Sequence, residues 1–239
     1  MLDKKALQIE LIALMEEQIY RESRTAWKKW FPDEGPYRRE LYKKHLKFFK
    51  DTGLSDDDIT ECAFIAANRV GKSIAGAYCV KVWTTGVYPD WWDGRVFDHP
   101  TNGWCAGDTG ETVRDIIQLE LLGPAGKHGT GMLPADSILR TTPRTGIPDA
   151  VKDIYIEHEP SKETSYAGLK SYDQKRKSFQ GTAKHWIWND EEPGMDIYSE
   201  EILRVMTTHG VIINTFTPLS GLSDVVLSFL PGGKAPSAG

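Results

Sequence analysis

The sequence predicts an α/β fold, a mostly parallel central sheet flanked by helices with an N-terminal helical extension. Short apolar runs alternate with helix-like segments: CAFIAA from Cys62, Trp104 to Ala106, His185 to Asn189 and Val211 to Thr215 are too short for core helices and read as buried strands. The first of them runs into NRVGKS and then into the apolar stretch SIAGAYCVKVWTT, the order of strand, tight loop and packed helix. A chain of 239 residues, 40% hydrophobic and 26% charged, has the material for one such domain, or one with an appendage.

Taken in order, residues 1–58 form a helical subdomain. Leu7, Leu11, Leu14 and Met15 recur at helical spacing with charges between them, an amphipathic stripe. Pro32, Gly35 and Pro36 break it, and a second helical run follows from Tyr37 to Lys50 with Leu41, Leu46, Phe48 and Phe49 as its apolar positions. Residues 51–58 are a polar connector. The core spans 59–222. Within it an acidic helix start at Glu111 leads to Leu122, and Gly123 to Asp149, rich in Gly, Pro and Thr, reads as loop. Asp153 to His158 alternates and pairs with Thr164 to Lys170 as a hairpin, and Asp196 to Thr208 is helical. Residues 223–239 give a C-terminal helix and a linker-like tail.

Several function classes lack support. No apolar run approaches the ~20 residues of a membrane span, and the N-terminus lacks a secretory h-region. Cys62, Cys79 and Cys105 match no metal or disulfide spacing and read as reduced core thiols of a cytosolic protein. A net charge of −5 argues against coating nucleic acid by bulk electrostatics, though not against a local basic groove. The six histidines show no zinc pattern, and no GxSxG occurs.

Chemistry concentrates in Ala66-Ala67-Asn68-Arg69-Val70-Gly71-Lys72-Ser73, the register of a phosphate-binding loop with alanine at the first glycine position. Its backbone N–H groups and the following helix N-terminus would wrap a triphosphate. Gly71 allows close approach, Lys72 neutralises the β/γ-phosphates and the Ser73 hydroxyl ligates Mg²⁺. Further along, WIWN runs into Asp190-Glu191-Glu192. An Asp at the end of a central strand can hold Mg²⁺ through water, and the neighbouring Glu can orient and deprotonate an attacking water. A third strand ends in Asn214-Thr215-Phe216-Thr217-Pro218, hydroxyls suited to sensing the γ-phosphate. The pattern is that of a P-loop NTPase of the additional-strand, catalytic-glutamate (ASCE, RecA-like) type. A helicase or remodelling ATPase core, and a non-catalytic nucleotide-binding assembly module, are the alternatives.

The motifs ANRVGKS, FQGTAKHWIWNDEEP and IINTFTP, with TTGVYPDWWDG and WCAGDT between them, resemble the ATPase domain of the large terminase subunit of tailed bacteriophages, over roughly residues 37–220. The resemblance implies a viral DNA-packaging motor in the bacterial host cytoplasm. It would act as a homo-oligomeric ring on the procapsid portal protein, with double-stranded DNA and the small terminase subunit as partners and a monomer as the isolated form. By position it makes Ala67 to Ser73 the ATP-binding loop, Asp190 the metal aspartate, Glu191 the catalytic carboxylate, and Thr215 and Thr217 the coupling motif. Where many relatives carry an arginine, four residues before Lys72, this chain has Asn68, with Arg69 next to it as a cis catalytic arginine. Arg140 and Arg144 are the candidate trans arginine fingers, and Tyr37 and Arg38 the candidates beside the nucleotide base. Large terminases continue into a nuclease domain; the stretch after Thr217 is too short for one, so no nuclease activity is expected from this chain.

Two features stand apart. Lys170 to Lys184 carries five basic residues against one acid, a DNA-backbone contact or a solvated loop. Trp91 and Trp92 are either a stacking platform or the cap of a core edge.

Overall fold

The computed structural model describes residues 4–53, 60–219 and 221–230. A seven-stranded sheet organises them, in the order β1-β7-β6-β2-β5-β4-β3. Strands β1 (Thr60–Ile65), β7 (Val211–Phe216), β6 (Trp186–Asp190), β2 (Asn102–Gly107) and β5 (Glu163–Ser171) run parallel, so their carboxyl ends share one edge. Strands β4 (Val151–His158) and β3 (Ile138–Pro143) extend the sheet antiparallel. The strand β7 lies between β1 and β6, the insertion that characterises the additional-strand class.

Helix α3 (Lys72–Thr85) is apolar on nearly every side, and twelve of its residues are buried. It lies close enough to β6 that a methyl on Gly76 would fall 2.2 Å from the Trp188 ring, so only glycine fits there. Trp83, Trp186 and Trp188 are all fully buried along this contact face. The opposite face is covered by α6 (Met195–Val205) and α7 (Asp224–Ser228), with Trp104, Phe179, Ile187, Ile197 and Ile212 between. Helix α2 (Lys43–Asp51) closes the β1 edge with Phe48 and Phe49.

Several expectations need correction. The stripe Leu7, Leu11, Leu14, Met15 does sit on a helix, α1 (Lys4–Arg24), yet each side chain is 49–58% exposed. Amphipathic spacing shows that a face is apolar, not that this chain covers it. The second N-terminal helix is shorter than its periodicity suggested: a 3₁₀ turn, Arg39–Leu41, precedes α2, and Leu41 points to solvent. Residues 54–58 of the connector and 231–239 of the tail lie outside the described residues. The segment read as loop contains β3, whose Thr and Pro content belongs to an edge strand with irregular register that ends at Pro143. The run from 110 to 122 is helical but divides into α4 (Gly110–Thr112), a π-helical stretch Val113–Gln118 and α5 (Leu119–Leu122). Trp91 and Trp92 stack on Tyr78 and lean on Phe49, capping a core edge. All three cysteines are free and buried.

Candidate functional site

The phosphate loop leaves β1 and enters α3 through two residues of left-handed backbone, Arg69 (φ 61°) and Gly71 (φ 84°). Glycine is needed at 71 for that conformation and for room, because a Cβ there would lie 3.2 Å from His45 Nε2. The turn buries the Lys72 side chain at the head of the helix. Its ammonium donates to Ala67 O at 2.8 Å and to Thr217 Oγ1 at 2.9 Å. Thr217 Oγ1 in turn lies 2.7 Å from Asn68 Oδ1 and 2.9 Å from Ala66 O, so the tip of β7 and the loop form one hydrogen-bonded unit.

At the start of α3, Ser73 Oγ donates to the Asp190 carboxylate, 2.9 and 3.0 Å from its two oxygens. Thr215, opposite Asp190 in the β6–β7 register, donates to the same carboxylate at 2.7 Å. The Trp188 indole N–H fixes Thr215 from behind at 2.7 Å. Burial pushes the Asp190 carboxyl up to about 6, against the pull of the Thr215 and Ser73 hydroxyls. Asp190 has no ion-pair partner among the described residues.

Glu191 follows at the strand tip with φ 93°, a left-handed conformation that costs a non-glycine residue about 1–3 kcal/mol. Two bonds hold it there: its N–H donates to Thr215 O at 3.2 Å, and Tyr172 Oη donates to its carbonyl at 2.8 Å. Partial burial raises the pKa of its carboxyl, Lys72 opposes that, and Asp108 and Glu192 add to it. Asp108, at the tip of β2, thus belongs to the same acidic corner.

Beside the loop opens an apolar cavity of about 580 Å³, walled by Trp30, Phe31, Tyr37, Tyr42 and His45 and floored by Arg69 to Gly71 and Ile74. Burial lowers the pKa of His45, and its ring meets Phe64 edge-on at 4.8 Å. Tyr37 and Arg69 line this cavity. Arg38 does not, its guanidinium lying 3.7 Å from Glu40.

The sheet therefore brings Lys72, Ser73, Asp190, Glu191, Thr215 and Thr217 to one edge. Arg140 lies elsewhere, with its guanidinium 3.5 Å above the Tyr155 ring, and Arg144 is tethered to Ser171 Oγ and Leu169 O. Sequence reasoning missed Asp108, Tyr172 and His45. Asp108 had a signal, since WCAGD ends a strand as WIWND does, whereas Tyr172 and His45 join the site through contacts that no local pattern encodes.

Donor chemistry at Ser73 and Asp190 fits a small hard cation. A hydroxyl and a buried carboxylate already converge, and the remaining positions suit phosphate and water oxygens. Among the described residues no cluster of three or more His, Cys, Asp or Glu could hold a metal by itself.

Comparison with known proteins places the chain among its relatives. It is 33% identical over 250 residues to the large terminase subunit of Salmonella phage P22, covering 96% of this chain and 47% of that protein, so it spans about half the length of the curated relative. Solved structures similar to it include the Thermus phage P74-26 large terminase ATPase domain, with 15% identity, TM-score 0.47 and coverage of 75% and 70% of the two chains. The large terminase of a second thermophilic bacteriophage, at 14% identity and TM-score 0.45, is matched over 81% of this chain and 38% of its own. Residues 63–237 match the N-terminal part of the terminase large subunit of T4likevirus type, and the chain belongs to that family.

Proposed function

We propose that this chain hydrolyses ATP and that hydrolysis drives double-stranded viral DNA into a procapsid. The observation that carries the reading is the meeting of Ser73 and Asp190 at 2.9 Å, with Lys72 and Glu191 on the same sheet edge. A helicase core would share these features, but the family to which the chain belongs favours the packaging motor.

In this reading Lys72 leaves Ala67 O and Thr217 to take the β/γ-phosphates, and the loop amides with the α3 N-terminus hold the rest. The aromatic cavity receives the base, with Tyr37 and His45 at its wall. Ser73 and Asp190 would hold Mg²⁺, which when bound offsets phosphate charge. Glu191 orients the water and takes its proton as the water oxygen bonds to the γ-phosphorus. The bond to the bridging oxygen breaks, and ADP leaves with the electron pair. Arg69 in cis, or Arg140 or Arg144 from a neighbouring subunit of the ring, stabilises the charge that builds on the transferred group. Arg140 is the freer of the two trans candidates, being exposed and held by one aromatic contact. Thr215 and Thr217 join the acid strand to the phosphate loop and so report loss of the γ-phosphate. The portal protein and the small terminase subunit are the protein partners, and the host cytoplasm is the setting.

The test is ATP turnover by the wild-type chain, titrated against protein concentration and duplex DNA, beside Lys72→Ala and Glu191→Gln with their folds checked by circular dichroism. Turnover lost in both variants supports the assignment. Wild-type turnover retained in Glu191→Gln would reject this base, and tight ATP binding without turnover under every condition would leave a nucleotide-binding assembly module.

A further inference from the structure

The basic residues of the segment 170–184 lie outside the ATP site, which the segment meets only through Tyr172. Its two ends meet on one indole: Lys170 Nζ and Lys184 Nζ lie 4.4 and 4.8 Å from the Trp104 ring centroid. Lys184 is buried and Lys170 half-buried. Lys170 donates to Ser178 O at 2.6 Å, and Lys184 to Asn102 Oδ1 at 2.7 Å and Thr182 Oγ1 at 3.0 Å. All these acceptors are neutral. Among the described residues neither ammonium has a carboxylate within ion-pair range, whereas buried lysines are ordinarily paired with an acid. Burial lowers the pKa of each. The Arg144 charge lowers that of Lys170 further, with Asp153 opposing, and the Lys170 charge lowers that of Lys184.

Next to Lys170 opens a cavity of about 490 Å³ at the carboxyl edge of β5, with Arg144, Lys152 and Lys170 in its wall and Gln174 and Ser178 at its rim. Its one lining acid, Asp153, already accepts from Tyr166 Oη and Thr142 Oγ1, each at 2.6 Å, and lies 3.9 Å from Lys152. The nearby Asp173 accepts from Ser171 Oγ at 2.5 Å. Lys175 and Lys177, next in the chain to the rim residues Gln174 and Ser178, are exposed, while Arg176 is taken up by Glu200. A single small anion would need only the cavity; a string of cations beyond it suits a polymer of phosphates.

We infer that the cavity lined by Arg144, Lys152 and Lys170 binds a phosphodiester of a nucleic-acid backbone. It also has a route to the chemistry. Arg144 and Gln174 bond to Ser171, and the next residue, Tyr172, holds the Glu191 carbonyl, so an anion drawing on Arg144 and Lys170 alters the support of the catalytic carboxylate. The inference rests on the packaging reading for the identity of the polymer, not for the existence of the anion site.

The test measures anisotropy of a labelled short duplex with the full chain, without ATP, over a salt series. Lys152→Gln, Lys170→Gln and the double variant are compared with wild type. Each lysine removed should weaken binding regardless of sequence and lower the salt slope by about 1. DNA-free ATP turnover should stay at the wild-type level while its response to DNA is lost. Lys152 is 65% exposed, so its variant keeps the fold even where Lys170→Gln does not. Wild-type affinity and slope in Lys152→Gln and the double variant would overturn the proposal, as would absence of duplex binding by wild type at low salt. Binding of inorganic phosphate that depends on these lysines, without any effect on duplex binding, would overturn it in favour of a small anion. A wild-type chain without ATP turnover would remove the motor reading, and the duplex titration would still decide the cavity.

Discussion

The ammonium of Lys72 sits 2.9 Å from the hydroxyl of Thr217, so the cation of the phosphate loop is moored to the tip of β7. On the proposed reading Lys72 gives up this contact when nucleotide binds, but Thr217 Oγ1 still ties β7 to the loop at Ala66 O and Asn68 Oδ1, and a neutral hydrogen bond contributes about 0.5–1.5 kcal/mol. Thr217→Val, which keeps the shape and removes the hydroxyl, is expected to lower kcat roughly tenfold and to leave nucleotide affinity within a few-fold of wild type. Steady-state kinetics together with a fluorescent-nucleotide titration would separate the two effects.

Glu191→Gln retains size and backbone but cannot accept a proton. On the proposed reading Glu191 is the general base, whose loss costs about 10²–10⁴ in rate, so kcat should fall by that range while ATP still binds. Single-turnover measurements on nucleotide-saturated protein give the chemical step directly.

Tyr172→Phe removes the donor to the Glu191 carbonyl and leaves the ring in place. The loss of one neutral hydrogen bond, about 1 kcal/mol, should slow turnover roughly fivefold with KM unchanged. An equal change in KM would assign the tyrosine to nucleotide binding instead.

Glu201 is fully buried beneath the acid strand, where the Asn189 amide donates to it at 2.7 Å. Burial pushes its carboxyl from an ordinary 4.5 up to about 8, with the Asn189 bond opposing. Between those values the folded chain holds a proton that the unfolded chain has released. Stability from this group is therefore full below about pH 4.5, falls as pH rises and levels off above about 8. Asp190, raised to about 6, adds a loss of the same sign at lower pH. Urea midpoints across pH 5–9 should decline more steeply for wild type than for Glu201→Gln, which has no proton to lose.

Gly76→Ala would drive a methyl into the Trp188 ring at 2.2 Å and force α3 away from β6. Overpacking of this kind costs about 1–3 kcal/mol, read as a lower thermal midpoint. The same shift separates Ser73 from Asp190, so turnover should fall even at temperatures where the variant is folded.

The parallel strands and the meeting of Lys72, Ser73, Asp190 and Glu191 at one sheet edge were legible because each is written locally, as an apolar run followed by its chemical group. The hairpin of β4 and β5 was legible from alternation. Strand β3 was not, because an edge strand exposes half its residues and needs no apolar pattern. The fate of α1 was hidden for the opposite reason: its apolar residues follow the pattern of a buried face without being covered by the described chain. Contacts between distant segments, His45 against Gly71 and Tyr172 against Glu191, depend on how helices and strand tips come together, which no window of sequence records.

The unusual backbone of Glu191 has a consequence for anyone improving this chain in the laboratory. Glycine at that position would relieve about 1–3 kcal/mol of strain, offset in part by the added freedom of the unfolded chain. A Glu191→Gly protein, without the proposed base, would then tolerate heat better than the wild type. A screen that rewards heat tolerance alone would enrich chains that lack the proposed catalytic carboxylate.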